Sequence, residues 1–277
     1  MNGPAALSPA ATRALLERLG HKPRKKLGQN FLIDGNIVRK SMAFAALRLG
    51  EPVVEVGPGL GTLTGALVAA GVRVHAVEFD PRLAGYIEEA FGESVDLLCG
   101  DAVQHPLGTL RPPHGEPFSV VANLPYAITS PWIEALLSGP LPRRMVLMMQ
   151  KEAADRLTAR PGEGSAGAVS IFLQSAYHGE DRHAVSRNCF YPAPAVDSTL
   201  LVLALRKAPL RFPRESRVAV RRVFTQRRKQ LGTLVKSDAL LGPWWDEARE
   251  RFRLSPTLRA EAVPLGAWQL LASLDET

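Results

Sequence analysis

The sequence predicts an α/β protein: an open sheet, mostly parallel with an antiparallel edge, followed by a small C-terminal helical domain. Three observations carry that expectation. From residue 52 onward short apolar runs alternate with amphipathic stretches, the βαβα rhythm of an open sheet with helices on both faces. Two extended runs, around 177–186 and 198–205, have only a proline-rich turn between them and no helix, so they should pair antiparallel at one sheet edge. Beyond Arg206, prolines at 209 and 213 lead into Arg/Leu-rich helical sequence.

Taken in order, a short helix is expected over 10–19, followed by the basic linker HKPRKK (21–26), which should be mobile without a ligand. PVVEV (52–56) is a buried strand, and a helical pattern follows over 62–70. VRVHAVEF, VDLLC and FSVVAN are the next strands, with a helix over 82–91 between the first two. A helix over 130–137, the strand RMVLMMQ (144–150) and a helix over 152–158 continue the rhythm. The domains expected are an N-terminal helix and linker (1–26), the sheet domain (27–207) and the helical domain (208–277).

With 277 residues, the chain can bury one sizeable core and a smaller appendage. A hydrophobic share of 46% with 22% charged residues argues against disorder. No apolar run approaches the ~18 residues needed to cross a bilayer, and the start has no charged-then-apolar leader pattern. No membrane association is expected, and a cytoplasmic location is. The two cysteines, Cys99 and Cys189, have neither metal-site nor disulfide-framework spacing, and no metal is expected.

Charge is unevenly placed. Residues 1–50 hold nine Lys/Arg against two Asp/Glu and residues 208–277 thirteen against eight, whereas 51–207 hold twelve against seventeen. Basic ends around an acidic centre suit a polyanion footprint beside a differently charged chemical site. Solvated faces are the plain alternative.

Glu55-Val-Gly57-Pro-Gly59-Leu-Gly61 lies directly after a strand and before a helix. Glycines there let backbone approach a ligand and start the helix tight against the sheet. The GxGxG spacing is one residue shorter than that of dinucleotide binders, which favours a nucleoside with an amino-acid tail over a pyrophosphate. Glu78 ends the second strand, where a carboxylate can accept both ribose hydroxyls, and Asp101 follows the third, where one can accept from an adenine amine. Each could instead cap the following helix.

The fourth strand ends in Asn123-Leu124-Pro125-Tyr126. An adenine N6 is a weak nucleophile because its lone pair is delocalised into the ring. Acceptors around the amine, the Asn123 side-chain carbonyl and the Leu124 backbone carbonyl, can turn that lone pair outward, while Tyr126 offers a stacking face. An ordinary Asn-x-Pro loop with a half-buried tyrosine is the alternative.

Over nearly its whole length the chain resembles the KsgA-type ribosomal RNA adenine dimethyltransferases, whose sheet is the Rossmann-like class I methyltransferase sheet. The residues that carry the resemblance are Lys26-Leu-Gly-Gln-Asn-Phe-Leu32, Val56-Gly-Pro-Gly-Leu-Gly61, Val77-Glu78, Gly100-Asp-Ala102, Asn123-Leu-Pro-Tyr126, Met145-Val-Leu-Met-Met-Gln-Lys-Glu152, Phe190-Tyr-Pro-Ala-Pro-Ala-Val-Asp-Ser198 and Gln226-Arg-Arg-Lys229. The resemblance implies S-adenosylmethionine as cofactor, contacted by Gln29, Asn30, Leu32, Glu55, Gly57, Gly59, Gly61, Glu78, Asp101, Ala102 and Asn123. It also implies two methylations on each of two neighbouring adenosines of small-subunit (16S) ribosomal RNA during subunit assembly, by a monomer acting on the immature subunit. Phe190 would stand opposite Tyr126 across the target base; a core aromatic at the sheet edge is the plain alternative.

RNA phosphates are expected to meet Lys22, Arg24, Lys25 and Lys26 at one end, and Arg221, Arg222, Arg227, Arg228 and Lys229, read as one helix, at the other. The chain departs from the family pattern at Ala195, at Ala166 and in QLGTLVK after Lys229, all outside the cofactor and catalytic motifs. Two other readings share these features. One is a large-subunit ribosomal RNA adenine methylase of the antibiotic-resistance type, and the other is a non-catalytic RNA-binding assembly or transcription factor on the same fold.

Overall fold

The computed structural model describes residues 8–113, 115–160 and 165–274. The chain divides into two units, Met1–Ala153 with Gly179–Ala204, and Ala154–His178 with Leu205–Thr277.

The first unit opens with α1 (Pro9–Arg18), whose N-cap Ser8 accepts a hydrogen bond from Ala11 N. Leu16 of this helix joins Phe31, Leu60 and Leu83 in a small apolar cluster. The segment expected to be mobile is anchored at its start, because His21 is 5% exposed and its Nε2 lies 3.0 Å from Gln29 Oε1. Next come β1 (Phe31–Leu32) and α2 (Gly35–Ala45). α2 is not among the helices expected from the sequence. Asp34-Gly-Asn reads as a turn, yet Asp34 is the helix N-cap, accepting from Asn36 N at 2.7 Å and Ile37 N at 3.3 Å.

The sheet is built from β2 (Pro52–Val56), β3 (Arg73–Glu78), β4 (Val95–Cys99), β5 (Ser119–Asn123), β6 (Arg144–Gln150), β7 (Tyr177–Val185) and β9 (Ser198–Leu205), in the order β4-β3-β2-β5-β6-β9-β7. Between them lie α3 (Thr62–Ala69), α4 (Pro81–Phe91) and α5 (Thr129–Leu136). β2 to β6 run parallel, and β9 pairs antiparallel with β6 with Met148 opposite Leu200. Every residue of β2 is buried, as a central strand covered on both faces requires. The two-residue β8 (Phe190–Tyr191) stands apart and pairs with β1, placing Leu32 opposite Phe190.

The second unit takes in α7 (Ala168–Ala176), a stretch that the sequence reading placed in the sheet domain. α7 buries seven of its nine residues and packs Phe172 on Phe212 with ring centroids 4.9 Å apart. This unit also holds β10 (Leu210–Arg211), α8 (Arg214–Phe224), α9 (Leu231–Val235), α10 (Leu241–Phe252), α11 (Leu265–Trp268) and β11 (Ser273–Leu274). The boundary between the units falls within α6 (Lys151–Thr158). Its core is aromatic: Trp244 stacks on Trp268 at 4.5 Å and donates its indole N–H to Ala267 O at 2.9 Å. Among the described residues no helix is long and apolar enough to cross a membrane.

Candidate active site

The chain runs outward from β2 through β3 to β4, then returns to place β5 on the other side of β2. At such a reversal the loops leaving neighbouring strands part, and a crevice opens at the carboxyl ends. A cleft lies there, lined by the loop after β2, by Glu78 and Phe79 at the end of β3, by Gly100, Asp101 and Ala102 after β4, and by Asn123 and Pro125 at the end of β5. Residues 26–32 form its remaining wall.

The loop after β2 is pressed against that wall. Gly59 has φ +58, and a Cβ there would stand 3.0 Å from the Phe31 ring. Gly61 does not line the cleft: it caps α3 at φ +77, and a Cβ would meet Phe91 at 2.6 Å. Of the glycines named from the sequence, Gly57 and Gly59 face the cleft, whereas Gly61 permits close packing of α3.

Three carboxylates converge on the cleft. Glu78 accepts from Gly59 N at 3.1 Å and from Asp80 N at 2.9 Å, so it braces both flanking loops. Each carboxylate oxygen has a further lone pair, so bracing does not exhaust its capacity. Burial pushes its carboxyl above the usual range. Asp101 Oδ1 accepts from Val103 N at 2.8 Å.

Glu55, 1% exposed, leaves Oε2 without a hydrogen-bond partner. Burial pushes its carboxyl up to about 8 from an ordinary 4.5, and the nearby Glu78 charge acts in the same direction. The folded state therefore holds a proton that the unfolded chain releases near its ordinary value. That contribution to stability is complete below about pH 4.5 and is lost as pH rises through about 8. Denaturant midpoints at about pH 5.5 and about pH 8.5 should fall more in the parent than in Glu55→Gln. Equal losses would show that Glu55 does not titrate in this window.

The wall from Lys26 to Leu32 holds Asn30 in place by Asn123 Nδ2, which donates to Asn30 O at 3.1 Å. That bond leaves Asn123 Oδ1 as the acceptor end of the amide. Gln29 lines the cleft, but its side chain is engaged: Oε1 accepts from Arg24 N at 2.7 Å, and Nε2 donates to Asp80 Oδ2 at 3.2 Å. Leu32 also lines the cleft, from β1.

In the loop after β5, Leu124 is buried and donates its N–H to Met148 O at 2.9 Å. Pro125 lines the cleft. Tyr126, half-buried, holds its hydroxyl 3.0 Å from Ser198 Oγ at the start of β9. Neither Leu124, Tyr126 nor Phe190 is part of the cleft wall. Phe190 is 3% exposed and belongs to the main core beside Leu32 and Leu200.

Two residues escaped the sequence reading. Phe79, the last apolar position of the run VRVHAVEF, lies just past β3, is 57% exposed and lines the cleft. Asp80, the N-cap of α4, is 1% exposed and meets the Gln29 amide. A strand-end Glu-Phe-Asp-Pro was the available signal. Among the described residues no cluster of three or more His, Cys, Asp or Glu is placed to hold a metal ion.

The cationic positions separate by environment. Lys22, Arg24, Lys25 and Lys26 are exposed. In the second unit α8 ends at Phe224, so the basic cluster is not on one helix: Arg221 and Arg222 are helical, whereas Arg227, Arg228 and Lys229 lie in the turn that follows. The Thr225 cap and the bridge from Gln230 to Arg259 end the helical run there. Arg222 pairs with Asp238. Arg227 donates to Ala166 O at 2.8 Å and to Glu261 at 2.9 Å, leaving Arg228 and Lys229 as the exposed cations of that turn.

A family model described as ribosomal RNA adenine dimethylase matches residues 20–240, which include every wall of this cleft. The chain belongs to that family. Relatives across the full length include "Ribosomal RNA small subunit methyltransferase A" of Opitutus terrae, 51% identical over 96% of this chain and 98% of that one. The protein of the same name from Pelotomaculum thermopropionicum is 39% identical, over 96% and 95%. Among solved structures, a dimethyladenosine transferase from Plasmodium falciparum superposes with TM-score 0.68 at 24% identity, over 87% of this chain and 95% of that one, and shows the shared fold. The 23S rRNA methyltransferase ErmE superposes with TM-score 0.64 at 26% identity, over 87% and 98%. The sheet of this family member is thus the class I methyltransferase sheet, with its antiparallel edge at β9 and β7.

Proposed function

We propose that the chain transfers methyl groups from S-adenosylmethionine to the exocyclic amines of two adjacent adenosines in small-subunit ribosomal RNA, as the subunit is assembled. The observation that carries the reading is the meeting of Asn123 and Pro125 with Glu78 and Asp101 in one cleft at the strand-order reversal. Small-subunit RNA is favoured over large-subunit RNA by the named relatives, 51% and 39% identical against 26% for the 23S enzyme.

The cleft suits this cofactor. Glu55, Glu78 and Asp101 line it, and three acidic side chains on one wall disfavour a pyrophosphate. Glu78 would take the ribose hydroxyls, Asp101 the adenine amine, and the loop of Gly57 and Gly59, with Asn30, the methionine part. When bound, the cofactor supplies an electrophilic methyl on a cationic sulfur.

The residues of this chain do the rest by positioning. Asn123 Oδ1 and the Leu124 carbonyl accept from the target amine and turn its lone pair outward. Pro125 holds the turn, and the Tyr126 face stacks on the base, worth ~1–3 kcal/mol in single-strand binders. The amine's proton leaves to water after transfer, so no side chain is needed as a strong base. A stacked base cannot enter such a cleft, so the adenosine is splayed from its RNA. Mass spectrometry of small-subunit RNA, after incubating immature subunits with protein and S-adenosylmethionine, should reveal dimethyladenosine at neighbouring positions. Its absence would remove the reading.

The RNA footprint is assigned to Lys22, Arg24, Lys25 and Lys26 and to Arg228 and Lys229. Replacing Arg228 and Lys229 by Ala should weaken subunit binding and flatten its log–log salt dependence by somewhat under one unit per lost phosphate contact. Arg227→Ala should instead lower the melting temperature, because it removes two part-buried hydrogen bonds. Unchanged salt dependence in the double variant would leave that turn outside the footprint.

A further inference from the structure

Asp80 sits where three parts of the first unit meet. Its Oδ1 accepts from Arg82 N at 3.0 Å and caps α4, while its own N–H donates to Glu78. Its Oδ2 is turned to the N-terminal segment, accepting from Gln29 Nε2 at 3.2 Å with Arg24 Nη1 at 3.8 Å. The other end of the Gln29 amide receives Arg24 N at 2.7 Å and lies 3.0 Å from buried His21 Nε2. Arg82, from α4, donates to Gly20 O at 2.6 Å and fastens the start of the same segment.

The chain of contacts thus runs from Arg24, in the exposed basic segment, through Gln29 and Asp80 to Glu78 in the cleft, without a break. Electrostatics reinforces it: despite burial, the Arg82 N–H and the Gln29 amide, with His21 and Arg24 nearby, hold the Asp80 carboxyl below the usual range. Nothing about α4 itself requires Oδ2, because the cap uses Oδ1 alone.

We propose that Asp80 and Gln29 are positioning residues that latch the basic segment 21–26 to the Glu78 side of the cleft, so that RNA and cofactor each favour binding of the other. A phosphate held by Arg24 and its neighbours keeps the segment closed over the cleft, and a ligand held by Glu78 keeps Asp80 in place to receive Gln29. Such coupling is reciprocal by linkage. The inference rests on the functional reading above for the identity of the two ligands.

The test is calorimetric titration of S-adenosylhomocysteine, the cofactor form with no methyl to transfer, into the full chain, alone and with saturating immature small subunits. The parent should bind the cofactor roughly fivefold or more tightly with subunits present. Gln29→Ala, which cuts the latch, and Asp80→Ser, which keeps an N-cap for α4 but cannot reach Gln29, should both bring that ratio close to one. A merely structural role would lower melting temperature and leave the ratio alone. Retention of the parent ratio in both variants, or a parent ratio of one, would overturn the latch. A parent that binds no cofactor under either condition would overturn the functional reading and the latch together.

Discussion

Asn123→Ala is expected to lower turnover by about 10²–10³, the usual consequence of removing one preorganised polar contact from a catalytic site. The side chain does two things in this fold. Its Nδ2 ties Asn30 to the end of β5, and by doing so it leaves Oδ1 as the acceptor for a target amine. Because one amide serves both purposes, a modest loss of cofactor affinity should accompany the larger loss in kcat. Asn123→Asp should be nearly as damaging, since a carboxylate at Oδ1 is retained but the donor to Asn30 is lost. Single-turnover rates at saturating cofactor isolate the chemical step, and unchanged rates in Asn123→Ala would take Asn123 out of it.

Glu78→Ala should weaken S-adenosylmethionine binding by roughly 10- to 100-fold, the equivalent of the 1.5–3 kcal/mol carried by a hydrogen bond to a charged group. It should also destabilise the protein, because Gly59 N and Asp80 N lose their acceptor. Glu78→Gln keeps an acceptor for one of those N–H groups, so it should recover part of the stability while remaining poor in cofactor binding. Isothermal titration beside thermal melting separates the effects. A variant that melts early yet binds cofactor like the parent would reduce Glu78 to a brace.

Much of the sheet was legible because its strands are short, apolar and bounded by glycine, proline or polar residues. β4 and β6 have the predicted limits, and β2 does too. The two helices that differed show why local pattern has a limit. α2 begins at a turn-like Asp34-Gly-Asn that becomes a cap only when the helix behind it has a core to face. α7 is apolar on nearly every side, so periodicity says that it is buried without saying in which unit. Arginine and lysine are good helix formers, so the basic run after α8 does not itself mark a break; the chain turns there after Phe224, and Gln230 then meets Arg259, far along the chain.

At the site, residue chemistry and strand-end position were determined by the sequence alone: Gly57, Gly59, Glu78, Asp101 and Asn123 all face the cleft. Their convergence follows from the strand order, which any parallel sheet with this reversal would produce. Which neighbours serve packing and which the cleft was decided only by tertiary structure. Gly61 lies under Phe91, Phe190 is enclosed by core residues, and Asp80 meets Gln29 across fifty-one positions of sequence. The physical reason is common to all three: a side chain's role depends on what long-range pairing places in front of it, and the local chain carries no record of that partner.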